Sequence, residues 1–177
     1  MSVERLNNRL IFGEPDGTLS PRLGACVAAF AASGFQSDAS ERIRDEIWMK
    51  LALNAATGPQ CVLADSALGD TFDDDFVLAS LRAVALEMRD LARALDCASV
   101  LDAVDIEAFV GRIIGTRHRP SILQDFDLRR PVELDALYRI PVILARAHGV
   151  STPTLGLLTA LVTRRAIAAG VYPAGSA

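Results

Sequence analysis

The sequence has 177 residues, a formal net charge of −4 and 51% hydrophobic residues, which fits one globular domain or one domain with a fragment of another. This composition argues against a disordered chain, and the slight acidity predicts no nucleic-acid partner. The longest apolar run, residues 25–32, is too short to cross a membrane, and the first ten residues lack the apolar segment of a signal peptide. Cys26, Cys61 and Cys97 are widely spaced and form no cluster with a histidine, which predicts a reducing cytoplasm and no metal site.

The first forty residues show a strand, a helix and a second strand in sequence. Pro15-Asp16-Gly17 is typical of a tight turn, and Ser20-Pro21 is typical of a helix start. The predicted elements are a strand over residues 9–12, a helix from Ser20 to Gly34 and a short strand at 35–37. A segment this small is too short to be a domain and looks like the end of one.

From Ser40 onward the pattern is helical. The acidic triplet Asp73-Asp74-Asp75 is interpreted as the first turn of a helix, where carboxylates complement the helix dipole, rather than as a metal site. The predicted helices are 40–57 closed by Gly58-Pro59, one from the acidic triplet to Asp96, 102–115, 121–128, 132–148, and one from Thr152-Pro153 to Gly170. Short connections between helices predict an all-α domain.

One lysine stands among seventeen arginines, and it is Lys50. Chance under a codon bias is one explanation. The other is chemical, because a lysine can give up and regain a proton near neutral pH, whereas arginine stays protonated. A site that needs a proton donor would keep a lysine.

Two charged side chains fall on faces predicted to be apolar. On helix 40–57 the expected stripe is Ile43, Ile47 and Leu51, and Lys50 and Asn54 lie beside it, one turn apart. Either a partner helix satisfies their polar groups, or they line a cleft, or Lys50 extends to the surface along its long stem.

Glu133 lies within the stripe predicted for the helix 132–148, which consists of Leu137, Ile140, Leu144 and Ala147. The alternative is an exposed glutamate in a first helical turn. If both Glu133 and Lys50 face a common cleft, they form a candidate site of opposite charges.

Three segments carry a family resemblance. Residues 47–55, Ile-Trp-Met-Lys-Leu-Ala-Leu-Asn-Ala, resemble the W-x-K-L-x-x-N pattern of ketopantoate reductases (2-dehydropantoate 2-reductases). Residues 119–135 are similar to the P-S-M-L-Q-D…R-x-x-E-I-D segment of that family, and residues 145–153 to its A-x-x-H-G-x-x-T-P segment. Three motifs in the right order make the resemblance specific.

The resemblance implies a mainly α fold. It corresponds to the helical C-terminal domain of the 6-phosphogluconate-dehydrogenase type, preceded by a short β/α remnant of a Rossmann-like nucleotide-binding domain. The implied boundaries are 1–38 for the remnant, 39–172 for the helical domain and 173–177 for a tail. Because no G-x-G-x-x-G turn is present, we expect NADP to belong to the intact family enzyme and not to bind this chain alone.

The resemblance also implies roles in reducing a 2-keto acid, a small-molecule substrate, in pantothenate biosynthesis. Lys50 is the implied general acid, Glu133 its partner and a ligand of the substrate hydroxyl, and Asn54 and Ser121 bind substrate. The sequence departs from the family pattern at Gly58, where a second asparagine is frequent, and at Tyr138-Arg139, where Asn-Gly is typical.

Three hypotheses therefore stay open at this point. The first is the substrate-binding and catalytic half of a ketopantoate-reductase-like enzyme. The second is the same enzyme plan acting on a different keto acid. The third is a non-catalytic helical domain that serves binding or dimerisation, since strands with an open edge are able to pair with a second copy as a homodimer.

Overall fold

The computed structural model describes residues 9–174 of the chain and is mainly α-helical, as predicted. The described residues fall into two compact units, one ending at Ile47 and the other beginning at Trp48. The boundary predicted from the sequence lies earlier, at 38/39. Residues 1–8 of the predicted remnant and 175–177 of the predicted tail lie outside the described residues.

The opening unit contains a parallel pair of strands joined by a helix. Strand β1, Arg9–Phe12, pairs with β2, Gln36–Ala39, in a register that sets Arg9 against Gln36. Helix α1, Pro21–Ala32, begins where the sequence predicted, because Ser20 Oγ accepts a hydrogen bond from the Leu23 amide. Gly34 follows the helix with a φ of +84°, a conformation that favours glycine.

The helical unit is built around one apolar core. Helix α4 supplies much of it, because its residues Leu81, Val84, Met88 and Leu91 are completely buried. The helices that belong to this unit or run into it are α2 Ile43–Ala64, α3 Leu68–Thr71, α4 Asp75–Ala94, α5 Ser99–Asp102, α6 Ile106–Ile113, α7 Ser121–Asp127, α8 Ile140–Ala147 and α9 Pro153–Ala168. A π-helical turn, Asp135–Arg139, leads directly into α8.

Helix α2 corrects the prediction of a helix over 40–57. It begins at Ile43, three residues after Ser40, and it continues through Gly58 and Pro59 to Ala64. A proline inside a helix costs about 3 kcal/mol or more, because its nitrogen cannot donate to the preceding turn. The burial of Pro59, together with the neighbouring residues Ala56, Cys61 and Val62, offsets this cost.

Two other predicted helices also differ from the structure. The helix predicted over 102–115 begins later, at Ile106 of α6, because Asp105 caps α6 by accepting hydrogen bonds from the Glu107 and Ala108 amides; Asp102 is the last residue of the separate short helix α5. The segment 132–148 contains the π-helical turn, in which the Ile140 amide donates to the Asp135 carbonyl. The extra residue in that turn rotates the side chains that follow it, so a single helical period does not describe the segment.

The last helix is not capped by the residue that the sequence predicts. The side chain of Thr152 makes no cap hydrogen bond to α9. Instead, the Glu87 carboxylate of α4 accepts hydrogen bonds from the Thr154 and Leu155 amides at 2.9 and 2.8 Å. A carboxylate at a helix N-terminus is favoured by the helix dipole, so Glu87 joins α4 to α9 by charge.

No helix within residues 9–174 is long and apolar enough to cross a membrane. The same residues contain no group of three metal-ligating side chains.

Candidate functional site

A cavity of about 200 Å³ in the helical unit brings together residues of α2, α7 and the π-helical turn. Two of the predicted site residues, Asn54 and Ser121, line it, although 67 positions separate them in the sequence. Its wall is formed by Asn54, Thr57, Gly58, Leu68, His118, Pro120, Ser121, Ile122, Gln124, Leu137 and Tyr138. The lining includes one histidine, His118, and no aspartate, glutamate, lysine or arginine, so the cavity is polar but has few ionisable groups.

Helix α2 forms one side of the cavity through Asn54 and Gly58, which are one turn apart. Asn54 is half-buried, and its side chain makes no hydrogen bond to any residue that the structure describes. Thr57 is different, because its Oγ1 donates to the Leu53 carbonyl at 2.8 Å. The free amide on this wall is therefore that of Asn54.

The segment before α7 forms the rim of the cavity. The amides of Leu68 and Gly69 donate to the carbonyls of His118 and Thr116, which fixes this segment against α3. Gly69 permits the approach, since a Cβ there would lie 2.6 Å from the Thr116 carbonyl oxygen. Ser121 is exposed and is the first residue of α7 rather than its cap.

The π-helical turn closes the cavity with Tyr138. The two ends of this turn are tied together by Tyr172, whose hydroxyl accepts from Arg139 at 2.7 Å and donates to Asp135 at 2.6 Å. Tyr138 is completely buried, and burial raises the pKa of its hydroxyl, which therefore stays protonated. Within residues 9–174 this hydroxyl has no hydrogen-bond partner.

Lys50 lies one helical turn before Asn54 and is exposed. The expectation that it shares a core-facing stripe with Ile43, Ile47 and Leu51 is wrong, because Ile47 is itself 58% exposed. The residues of α2 that face the core are instead the small ones, such as Ala52, which pack closely against neighbouring helices. Among the described residues, the Lys50 ammonium has no ion pair and no hydrogen bond.

Glu133 is also exposed, and it precedes the π-helical turn. The stripe that was predicted to contain it is wrong as well, since Ile140 is 48% exposed while Leu134 and Tyr138 are the buried positions. Within residues 9–174 no ion pair joins Glu133 to Lys50, and neither residue lines the cavity. Glu133 is therefore a solvent-exposed glutamate at the start of a helical segment, which is the alternative that the sequence left open.

The arrangement offers hydrogen bonds inside a cavity and a cation one turn away from it. Asn54 and Ser121 are able to hold oxygen atoms of a small molecule, and a rise of about 6 Å along α2 separates Asn54 from Lys50. Residue-type patterns did not assign Tyr138 to the site. The signal that could have found it is its departure from the asparagine expected at that position.

Comparison with known proteins gives a consistent result. The family model described as the C-terminal part of ketopantoate reductase PanE/ApbA matches residues 42–166. A 2-dehydropantoate 2-reductase of Mesorhizobium japonicum is 32% identical over 164 residues, which are 93% of this chain and 50% of the relative. The chain thus spans about half the length of that protein.

Solved structures agree in fold. A candidate ketopantoate reductase from Ralstonia solanacearum MolK2 is 33% identical with a TM-score of 0.85, and the match covers 94% of this chain and 50% of that one. The 2-dehydropantoate 2-reductase from Methylococcus capsulatus is 26% identical with a TM-score of 0.82, over 91% and 51% of the two chains.

Proposed function

Because the chain belongs to the ketopantoate reductase family, matching its C-terminal domain over residues 42–166, we propose that it is the substrate-binding and catalytic half of an NADPH-dependent reductase that converts a 2-keto acid into a 2-hydroxy acid. The observation that carries this proposal is the cavity, which both Asn54 and Ser121 line. The sole lysine, Lys50, lies one helical turn before Asn54. These three residues are among the four that the motifs single out; the fourth is Glu133.

The proposed reaction needs one hydride and one proton. As hydride reaches the ketone carbon, the carbonyl oxygen takes a proton from the Lys50 ammonium, which leaves a hydroxyl group on the product and a neutral amine on the lysine. Asn54 and Ser121 hold the substrate by hydrogen bonds. Glu133 is proposed to pair with Lys50 and with a substrate hydroxyl, which requires its exposed carboxylate to move toward the ligand.

The hydride donor has no binding site in the described residues. A dinucleotide is held by a glycine-rich turn between a strand and a helix, and the sequence contains no G-x-G-x-x-G. The residues present therefore do not fit NADP by themselves, and the proposal assigns only substrate binding and proton donation to this chain.

The test joins residues 1–177 to the half of the Mesorhizobium japonicum relative that this chain does not match. Loss of NADPH absorbance in the presence of ketopantoate measures turnover. In this fusion Lys50→Arg keeps the positive charge but removes proton donation, so we expect kcat to fall by roughly 10²- to 10⁴-fold. The exposure of Lys50 predicts unchanged folding.

The matched control is Arg44→Lys, a reverse substitution at an exposed position on the same helix. It should leave kcat unchanged. A fusion that is folded but reduces no 2-keto acid would contradict the proposal, and so would a Lys50→Arg variant with normal turnover.

A homodimer is a second, compatible proposal. Within residues 9–174 the sheet consists only of β1 and β2, so each strand has an edge without a paired strand. Two strands alone are marginal in water, and pairing with a second copy would extend the sheet. Light scattering at several concentrations should give a mass near twice 18.9 kDa, whereas a strict monomer would contradict this.

A further inference from the structure

Two of the positions at which the sequence departs from its family pattern contact each other at the wall of the cavity. Gly58 lies on α2 and Tyr138 on the π-helical turn, and both line the cavity. A Cβ built on Gly58 would collide with the Tyr138 hydroxyl oxygen and would lie 3.2 Å from Ile122 Cγ2. Glycine at position 58 is therefore what allows the tyrosine ring to reach the wall.

Among the described residues, the hydroxyl group of Tyr138 has no hydrogen-bond partner. Tyr138 is completely buried, and no residue described by the structure hydrogen-bonds to its oxygen. A buried polar group without a partner is unfavourable, so such groups are rare unless a ligand or water satisfies them. The other tyrosine, Tyr172, has partners on both sides.

The side chains that line the cavity restrict which part of a ligand would contact the Tyr138 hydroxyl. The lining offers the hydrogen-bonding groups of Asn54, Ser121 and Gln124 and one imidazole, that of His118, but no lysine or arginine. Burying a carboxylate in such a place without a permanently charged cation is unfavourable. The carboxylate of a keto acid therefore belongs outside, on the side of Lys50, and the cavity suits a neutral part of the ligand.

On the basis of the function proposed above, we propose that Tyr138 is a specificity-determining residue whose hydroxyl donates a hydrogen bond to an oxygen atom on the side chain of the substrate. The substrate class is then a 2-keto acid whose side chain carries a hydroxyl or carbonyl oxygen. The Gly58–Tyr138 pair selects it over a purely aliphatic analogue, because the analogue would leave the buried hydroxyl unpaired.

Two ligands that differ by one oxygen test this proposal on residues 1–177. The probes are ketopantoate, which is 4-hydroxy-3,3-dimethyl-2-oxobutanoate, and 3,3-dimethyl-2-oxobutanoate, which lacks the hydroxyl. A neutral hydrogen bond predicts that the unaltered chain binds the hydroxylated acid about 2- to 13-fold more tightly, measured as Kd by calorimetry. Tyr138→Phe should remove this preference and leave the affinity for the aliphatic acid unchanged.

Thermal unfolding of the same variants separates recognition from folding. Tyr138→Phe should have unchanged or slightly higher stability, since its oxygen has no protein partner to lose. Tyr172→Phe, the same chemical change at the other tyrosine, should lower stability because Arg139 and Asp135 lose their shared partner.

Three outcomes would overturn the proposal: no binding of either acid, equal affinity for both acids in the unaltered chain, or a preference that persists in Tyr138→Phe. Marked destabilisation by Tyr138→Phe would do so too. Failure of the proposed reductase function would be seen separately, as a folded fusion that reduces no 2-keto acid, and failure of the role of Lys50 as normal turnover of the Lys50→Arg fusion.

Discussion

The two units of the chain are stabilised by different kinds of interaction. In residues 9–47 the buried side chains include two carboxylates, Glu14 and Asp45, and one aliphatic group, Leu23. From Trp48 to Ala174 the buried groups are aliphatic and aromatic, and the buried polar ones, such as Gln60 and Thr159, carry no charge. The helical unit should therefore respond mainly to changes in packing, and the opening unit to changes in charge.

Within the opening unit, Glu14 is the centre of a small polar network. Its carboxylate accepts hydrogen bonds from the Ser20 hydroxyl and from two nitrogens of Arg22. In the same unit the ring centroids of Phe12 and Phe30 lie 5.1 Å apart and those of Phe30 and Phe35 lie 6.0 Å apart, but Phe30 is 40% exposed. Apolar burial here is limited, so the ionic contacts supply a larger share of the stabilisation.

The largest effect is expected from a cavity in the helical core. Met88→Ala removes a completely buried side chain of α4 and should lower the free energy of unfolding by about 2–5 kcal/mol. Leu86→Ala is the matched control, since Leu86 is on the same helix and 50% exposed. Denaturant titration followed by the fluorescence of Trp48, the sole tryptophan, measures both. Equal losses would contradict a unit stabilised by packing.

A moderate effect is expected where the helical unit does depend on charge. Glu87→Gln weakens the carboxylate that accepts from the Thr154 and Leu155 amides, and it should cost about 0.5–2 kcal/mol. The control is Glu107→Gln, whose ion pair with Arg82 is solvent-exposed and should contribute little to stability. Denaturant titration compares the two, and a larger loss at Glu107 would be inconsistent with the role given to Glu87.

The smallest effect is expected from acid in the opening unit. Hydrogen bonds from Arg22 and Ser20 lower the pKa of Glu14 to about 2, from an ordinary value of 4.5. Since the folded pKa is the lower one, the stabilisation is complete above pH 4.5 and is lost as the pH falls toward about 2. Hydrogen exchange of the β1 and β2 amides should accelerate over this range relative to its intrinsic pH dependence. Glu14→Gln should abolish that extra acceleration.

Local chemistry allowed several elements to be predicted from the sequence. The strand at residues 9–12, the start of α1 at Ser20-Pro21 and the start of α4 within the acidic triplet, at Asp75 with Asp74 as its cap, all depend on neighbouring residues. The continuation of α2 past Pro59 could not be predicted in this way. The cost of the proline is offset by burial of this part of α2, and that burial depends on helices that are distant in sequence. The π-helical turn depends similarly on Tyr172, which follows α9.

The candidate site shows the same division. The motifs identified Asn54 and Ser121, and the structure brings both to one cavity. The helical period wrongly predicted that Lys50 and Glu133 lie on core-facing sides of their helices. Apolar residues such as Ile47 and Ile140 are exposed, and small residues occupy the core side of α2. Tyr138 was visible in the sequence only as a departure from a pattern, and its unpaired hydroxyl is a property of the packing.

The exposed position of Lys50 also makes it a unique chemical handle. Apart from the α-amino group, it is the one primary amine in the 177-residue sequence. Reductive methylation with ¹³C-formaldehyde would therefore place a single lysine reporter one helical turn from the cavity. Its NMR resonance would follow ligand entry directly, without substituting any residue of the chain.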